Sequence, residues 1–469
     1  VRPPWLRWRE SPPSPPMKPA PIIDAVTAVL MHDDELYLVQ RQRALAAFPG
    51  YHAFAGGKVD QTDGNEPLPQ AVFAGHEPRL IRALSRELHE ELGYDLIGDA
   101  AQVQAVELMG TALTPPAAPV RFNTYFFRVD LARRPDFTLC SAEIASGAWG
   151  APRHWLERYQ AGELLLAPPT MSAVKALAVN PRSTDAGFAD FNDLGTLRPL
   201  EAMFGVRQLF VRSNTLPPAT HTNCFLIGDH GARRLLVDPS PNSAEEMERL
   251  YDAASRLGFD EVFLTHHHPD HRQHADTIAR RAGVPLGMSV WTLGHIRSPD
   301  ARYGEGPDWA RDLQIRIYAD GDVATQWLGH DVRVLEVPGH DEGQLALMPD
   351  NRAWCIVGDL IQGVGTVVIA PPEGDMRKYF ATLERIIALR PGTIYPSHGL
   401  ALGGTHYLEQ ALSHRRMREQ HIHRLFSAGR SMDEMLAEVY QGVDPRLLPL
   451  ARINIESHLA KLRQDGAIA

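Results

Sequence analysis

The densest chemistry in the chain lies in six consecutive residues, His266-His267-His268-Pro269-Asp270-His271. Read as HxHxDH, they set imidazoles and a carboxylate close enough to build a metal site with an open coordination position. The preceding Asp260-Glu261-Val262-Phe263-Leu264-Thr265 reads as a short, mostly apolar strand. The ligands are therefore expected where a buried strand opens into a loop, at a sheet edge and not inside a helix.

Four other segments repeat this plan. Leu235-Leu236-Val237 ends in Asp238, and Val334-Leu335-Glu336-Val337 runs into Pro338-Gly339-His340. Cys355-Ile356-Val357 ends in Gly358-Asp359, and Thr393-Ile394-Tyr395 runs into Pro396-Ser397-His398-Gly399. In each, a polar residue follows an apolar run, where strand ends can converge on one cleft. The candidate ligands are His266, His268, His340, Asp270, His271, His398 and Asp359. Neutral imidazole with carboxylate suits zinc, with iron or manganese as alternatives. The set exceeds one tetrahedral site and fits two metals sharing a bridging carboxylate.

A second constellation is Arg86-Glu87-Leu88-His89-Glu90-Glu91-Leu92-Gly93-Tyr94. Glu87, Glu90 and Glu91 stand at i, i+3 and i+4, on one flank of a helix. Ile81, Leu84, Leu88 and Leu92 form a separate apolar stripe that docks it. A solvated acidic face explains the spacing equally well. A hard divalent cation, Mg²⁺ or Mn²⁺, converts the repulsion into coordination.

The elements that position these groups fall into several units. The 469 residues exceed one ordinary core. The net charge of −10 (47 minus 57) argues against wholesale nucleic-acid coating. Three widely spaced cysteines, Cys140, Cys224 and Cys355, make a poor disulfide framework and point to a reducing, cytoplasmic compartment. No apolar run is long enough for a membrane span. The reading divides the chain into a proline-rich disordered tail (1–21), an α/β unit (22–180), a linker (181–204), a second α/β unit (205–405) and a helical tail (406–469). A hairpin is expected over 25–40, a helix over Pro78–Leu92, and a capping box at Ser431-Met432-Asp433-Glu434.

The order Asp238, HxHxDH, Gly-His, Gly-Asp, Ser-His-Gly resembles the metallo-β-lactamase fold, an αββα sandwich. By that resemblance His266, His268 and His340 hold one zinc, Asp270, His271 and His398 a second, and Asp359 bridges them. Asp238 orients ligands, and Asp270 and Asp238 count among the catalytic residues. The nucleophile so implied is water activated between the metals. The segment from Leu216 to Gly228 and the helical tail resemble the β-lactamase-like protein 2 group, whose tail is winged-helix-like. One departure stands out: many thiolesterase-type members carry Gly-Gly soon after the cluster, where this chain has Arg272-Gln273-His274. Arg272 itself is expected as a solvated surface residue.

The carboxylate helix, with Phe54-Ala55-Gly56-Gly57-Lys58-Val59-Asp60 upstream, resembles the Nudix box and implies an α/β/α sandwich. The resemblance makes Glu87, Glu90 and Glu91 the Mg²⁺ or Mn²⁺ ligands and catalytic groups, with Arg86 orienting a glutamate and Gly56 and Gly57 in the binding loop. The loop from Gly57 to Arg86 is longer than the family pattern and carries Asp63 in place of a glutamate, which looks like the branch containing coenzyme A pyrophosphatases. Together the resemblances imply a bifunctional hydrolase. The zinc half cuts an ester, thioester or phosphodiester. The Nudix half cuts a nucleoside-diphosphate-linked substrate such as a coenzyme A derivative. The alternative is a zinc endoribonuclease with a regulatory or degenerate Nudix domain. Small-molecule substrates are favoured over nucleic acid as partners.

Overall fold

The computed structural model describes residues 22–114, 120–189 and 196–469. The tail expected over 1–21, and part of the expected linker, lie outside the described residues. The first sheet contains β1 (Ile22–His32), β2 (Glu35–Arg41), β3 (His52–Ala53), β4 (Ala55–Lys58), β5 (Val103–Leu113), β6 (Arg121–Leu131) and β7 (Ile144–Gly150). Its spatial order is β3-β2-β1-β6-β5, with β4 paired to β1 and β7 to β2. Alternation along β1 sorts its side chains. Val26, Ala28 and Leu30 pack under α1 (Pro78–Leu92), while Val29 and Met31 face α2 (Pro152–Gln160) and α3 (Pro168–Val179). A sheet thus lies between two helical layers. Helix α1 matches its expected limits because Pro78 opens it and Gly93, in the left-handed region, closes it.

The next sheet runs β14-β13-β12-β11-β10-β9-β8. Its strands are β8 (Leu200–Met203), β9 (Val206–Arg212), β10 (His221–Ile227), β11 (Leu235–Val237), β12 (Glu261–Phe263), β13 (Leu286–Met288) and β14 (Ile315–Ile317). Helices α4 (Ala244–Leu257), α5 (Pro269–Arg272), α6 (Ala275–Ala282) and α7 (Val290–Arg297) lie along this stretch. The third sheet is a ladder of β15 (Val323–Trp327), β16 (His330–Glu336), β17 (Leu345–Pro349), β18 (Cys355–Ile356), β19 (Thr393–Tyr395) and β20 (Leu402–Gly403). Phe225, Val237 and Phe263 of one sheet share a core with Val334, Leu347, Ile356 and Tyr395 of the other. Helices α4 and α6 cover the outer face of the second sheet. Helix α8 (Met376–Leu389) and α9 (His406–Ser427) cover that of the third.

Two boundaries differ from expectation. Strand β8 lies inside the expected linker, where it pairs with β9. Tyr51, Leu165 and Ala167 of the N-terminal half are buried in the core between the second and third sheets, and Gly403 N donates to Pro49 O at 2.9 Å. The tail comprises α9, α10 (Met432–Val439) and α11 (Leu448–Gln464), and the capping box at Ser431 is present. The basic lead-in to the tail does not form an open cationic face: Arg415 is buried, and Arg416 pairs with Glu384. Among the described residues no helix is long and apolar enough to cross a membrane.

Candidate metal centre and the carboxylate helix

The second and third sheets bring their strand ends to one edge of the sandwich. His266 and His268 leave β12 in a loop, but Asp270 and His271 stand in the one-turn helix α5. The expectation of a loop throughout is corrected here, because Pro269 occupies the first position of a helical turn that it is preshaped to start. Gly339, just before His340, is required by space: a Cβ there lies 2.3 Å from Tyr379 Cα.

The ligand atoms form two triplets. His268 Nδ1 lies 3.1 Å from His266 Nε2 and 3.0 Å from His340 Nε2. On the other side, His271 Nε2 and His398 Nε2 lie 3.8 and 3.7 Å from Asp270 Oδ2. Asp359 stands between them. Its Oδ1 is 3.6 Å from His271 Nε2 and 3.3 Å from His398 Nε2, and its Oδ2 is 3.7 Å from His340 Nε2. One carboxylate therefore offers an oxygen to each triplet.

The outward nitrogens fix the rings. His271 Nδ1 donates to Asp238 Oδ2 at 2.8 Å, and Asp238 also accepts from Thr265 N and Thr265 Oγ1 at 2.7 and 2.6 Å. Asp238 holds a positive φ of 51°, a conformation that aspartate tolerates better than most residues. His340 Nδ1 donates to Val368 O at 2.8 Å, and His398 Nδ1 to His221 O at 2.9 Å. Each such bond leaves the other ring nitrogen as a lone-pair donor facing inward.

Electrostatics follow from burial and these neighbours. Burial lowers the pKa of His340 to about 4, with His268 adding to the effect, and burial holds His266 well below the usual imidazole range. At His271 burial works the same way, but Asp270 and Asp359 outweigh it and raise the pKa. His398 is raised too, with Asp359 and Asp270 again overcoming burial.

The fit to metal rests on orphaned atoms. His271 Nε2 and Asp359 Oδ1 are buried without a hydrogen-bond partner among the described residues. Such groups are costly unless a partner satisfies them, and an ion is one such partner. The donor set of imidazole and carboxylate suits zinc. The triplets His266/His268/His340 and Asp270/His271/His398 each fall within one ion's reach, and so do His266, His271 and Asp359.

Several residues of this region were not read as part of the site. His267 is buried with Nδ1 2.5 Å from Asp341 Oδ2 and its ring 4.0 Å from that of His295. Glu373, also buried, lies 3.7 Å from His268 Nε2 and 3.6 Å from His295 Nε2. Glu373 follows the apolar run Val367-Val368-Ile369-Ala370 across Pro371-Pro372, much as His340 follows Val337, but it was not read as part of the site. Arg272 corrects an expectation: it is 4% exposed, not solvated. Its guanidinium donates to His267 O, Tyr303 O and Glu305 at 2.6, 2.5 and 3.0 Å, and so braces the back of the ligand loop.

The carboxylate helix is arranged differently. Glu91 Oε2 accepts from Gly56 N at 3.0 Å, and burial lifts its pKa to about 7. Glu87 is raised by burial against the opposing pull of Arg86. Arg86 makes a bidentate pair with Asp63 at 3.0 and 3.1 Å and reaches Glu87 at 2.8 Å and Glu90 at 3.3 Å. Gly57 admits the Glu87 carboxylate: a Cβ there lies 2.4 Å from Glu87 Oε2. Glu90 is exposed, and Glu87, Glu90 and Glu91 are not among the groups of donor atoms that converge within one ion's reach.

Residues 217–398 match the family model of the metallo-beta-lactamase superfamily, and residues 431–469 match that of the beta-lactamase associated winged helix domain. A beta-lactamase-like protein 2 homolog of Drosophila melanogaster is 28% identical over 255 residues, spanning 53% of this chain and 84% of its own. A hydroxyacylglutathione hydrolase of Aeromonas salmonicida (strain A449) is 31% identical over 195 residues, spanning 41% of this chain and 67% of its own. The crystal structure of a NUDIX hydrolase from Alicyclobacillus acidocaldarius aligns with 34% of this chain and 93% of its own, at 25% identity and a TM-score of 0.30.

Proposed function

The chain belongs to the metallo-beta-lactamase superfamily of hydrolases, and on that premise we propose that its C-terminal half hydrolyses small acyl thioesters at a dinuclear zinc centre. The observation that carries this reading is Asp359, whose two oxygens face two separate donor triplets. His266, His268 and His340 would hold one zinc, and Asp270, His271 and His398 the other. Zinc held there would supply Lewis-acid polarisation of the scissile carbonyl and a water of lowered pKa. Asp238 keeps the His271 Nε2 lone pair inward by accepting its Nδ1 proton. Asp270, hydrogen-bonded through its backbone carbonyl to Thr222 Oγ1, is held in place at the mouth of the second triplet. The thioester class is supported by the hydroxyacylglutathione hydrolase relative, whose named substrate carries an acyl group on glutathione.

For the N-terminal half the reading is Mg²⁺- or Mn²⁺-dependent cleavage of a nucleoside-diphosphate-linked substrate, coenzyme A derivatives included. Its support is the Arg86-Glu87/Glu90/Glu91 helix packed beside the Gly56-Gly57 loop. The exposed Glu90 and the capped Glu91 favour a second reading, in which this half binds a nucleotide without cutting it.

The test is a panel of acyl-glutathione, acyl-coenzyme A, phosphodiester and nucleotide-sugar substrates on the full chain, with wild type beside Asp359→Asn and Glu87→Gln. Thioester turnover lost in Asp359→Asn but kept in Glu87→Gln supports the proposal. Zinc-loaded protein that cuts only the phosphodiester contradicts it. Pyrophosphate cleavage lost in Glu87→Gln separates the two N-terminal readings.

A further inference from the structure

One short segment, Val367 to Gly374, touches the first triplet from behind. Val368 O accepts the Nδ1 proton of His340 at 2.8 Å. Five residues on, Glu373 presents its carboxylate to His268 Nε2, on the side of that ring away from Nδ1. A carbonyl and a carboxylate behind two metal-facing imidazoles are the kind of partners that fix ring orientation and donor strength.

That segment has no strand of its own to hold it. It is held by the C-terminal helices. Arg415 of α9 donates through Nη2 to Val367 O at 2.6 Å, and Ser457 Oγ of α11 donates to Ile369 O at 2.6 Å. Both donors are buried, at 7% and 2% exposure. The Arg415 guanidinium also lies 4.9 Å over the ring of Tyr379, whose hydroxyl donates to Leu360 O, one residue beyond the bridging Asp359. Burying a guanidinium to hold a carbonyl is expensive, and an apolar side chain fills the same space at lower cost if packing is the only need. Val367 O, held by Arg415, and Ile369 O, held by Ser457, flank Val368, the residue that orients His340.

We infer that the C-terminal helices serve as a positioning brace for the three-histidine triplet, with Arg415 and Ser457 holding the segment whose Val368 carbonyl and Glu373 carboxylate orient His340 and His268. Arg415 and Ser457 are positioning residues, since neither touches the ligand atoms. The inference rests on the dinuclear reading above. It gives the helical tail a task at the metal centre that does not require nucleic acid.

The experiment is competition of zinc against a graded chelator on the full-length chain, in wild type, Arg415→Met, Arg415→Lys, Ser457→Ala and Glu373→Gln. Loss of such an outer partner costs about 10–100-fold in metal affinity. That loss is expected at one of the two equivalents in Arg415→Met, Ser457→Ala and Glu373→Gln. The other equivalent stays at its wild-type affinity, and Arg415→Lys recovers most of the loss because lysine still donates to the carbonyl. Repeating the titration in an Asp270→Ala background, which leaves the three-histidine set whole, assigns the weakened equivalent. If Arg415→Met fails to fold, Ser457→Ala and Glu373→Gln carry the same readout. Folded variants that hold both zinc ions as tightly as wild type overturn the brace while leaving the dinuclear centre standing. A wild-type chain that takes up no zinc removes the premise, and the brace with it.

Discussion

At the C-terminal centre, seven side chains arrive from four separate segments, and His271, His340 and His398 each donate a second nitrogen to a fixed oxygen. At the N-terminal centre, three carboxylates arrive from one helical turn, and a single guanidinium, Arg86, reaches two of them together with Asp63. Both centres concentrate like groups that repel or strip one another of water. The first keeps His271 Nε2 and Asp359 Oδ1 buried without a hydrogen-bond partner among the described residues. The second is already satisfied by protein: Arg86 neutralises Glu87 and Glu90, and Gly56 N caps Glu91. The contrast is between buried donor atoms left without protein partners and carboxylates that already have them.

The largest expected effect breaks the first centre. Removing metal with a chelator, or replacing His268 by alanine, is expected to lower thioester turnover by about 10³-fold or more, as when an electrostatic stabiliser is lost. Unchanged turnover in metal-stripped protein removes the contrast. A smaller effect sharpens it. Asp238→Ala leaves His271 Nδ1 unheld and is expected to weaken metal binding about 10–100-fold, read by chelator competition. Binding at wild-type strength shows that His271 needs no orienting acid.

The next effect concerns stability. Arg272→Ala deletes three donated bonds at the back of the ligand loop, two of them to backbone carbonyls, which costs about 2 kcal/mol. The denaturation midpoint of the C-terminal half reports it, and an unshifted midpoint contradicts the bracing role.

The smallest effect tests the second centre. Glu91 has a folded pKa raised to about 7 against an ordinary 4.5, so its neutral form is the one the fold prefers. Its favourable contribution is complete below pH 4.5 and is lost as pH rises through about 7. In chelator, wild type is therefore expected to lose stability relative to Glu91→Gln as pH rises from 5 to 8. A constant difference across that range contradicts the raised pKa.

Much of this was legible in the sequence because strand ends punctuate it. Asp238, His340, Asp359 and His398 each follow a short apolar run, and the structure brings all four to one edge of the sandwich. Helix α1 was readable to its limits because Pro78 and Gly93 mark both ends. What the sequence hid was supplied by main-chain atoms and by distance. The carbonyls of Val368 and His221 orient two ligands, and no side-chain pattern reports a carbonyl. Glu373 reaches His268 from more than a hundred residues away, after an apolar run that forms no strand. Arg272 was misread because arginines at loop positions are mostly exposed, whereas here two carbonyls and Glu305 stabilise its burial.

The central claim is that Asp359 joins two donor triplets into one dinuclear centre. Elemental analysis of purified full-length protein after dialysis against zinc, wild type beside Asp359→Asn, tests it most directly. The account predicts two zinc ions per chain in wild type and fewer than two in the variant. Zinc-free wild type, or equal loading of both proteins, contradicts it.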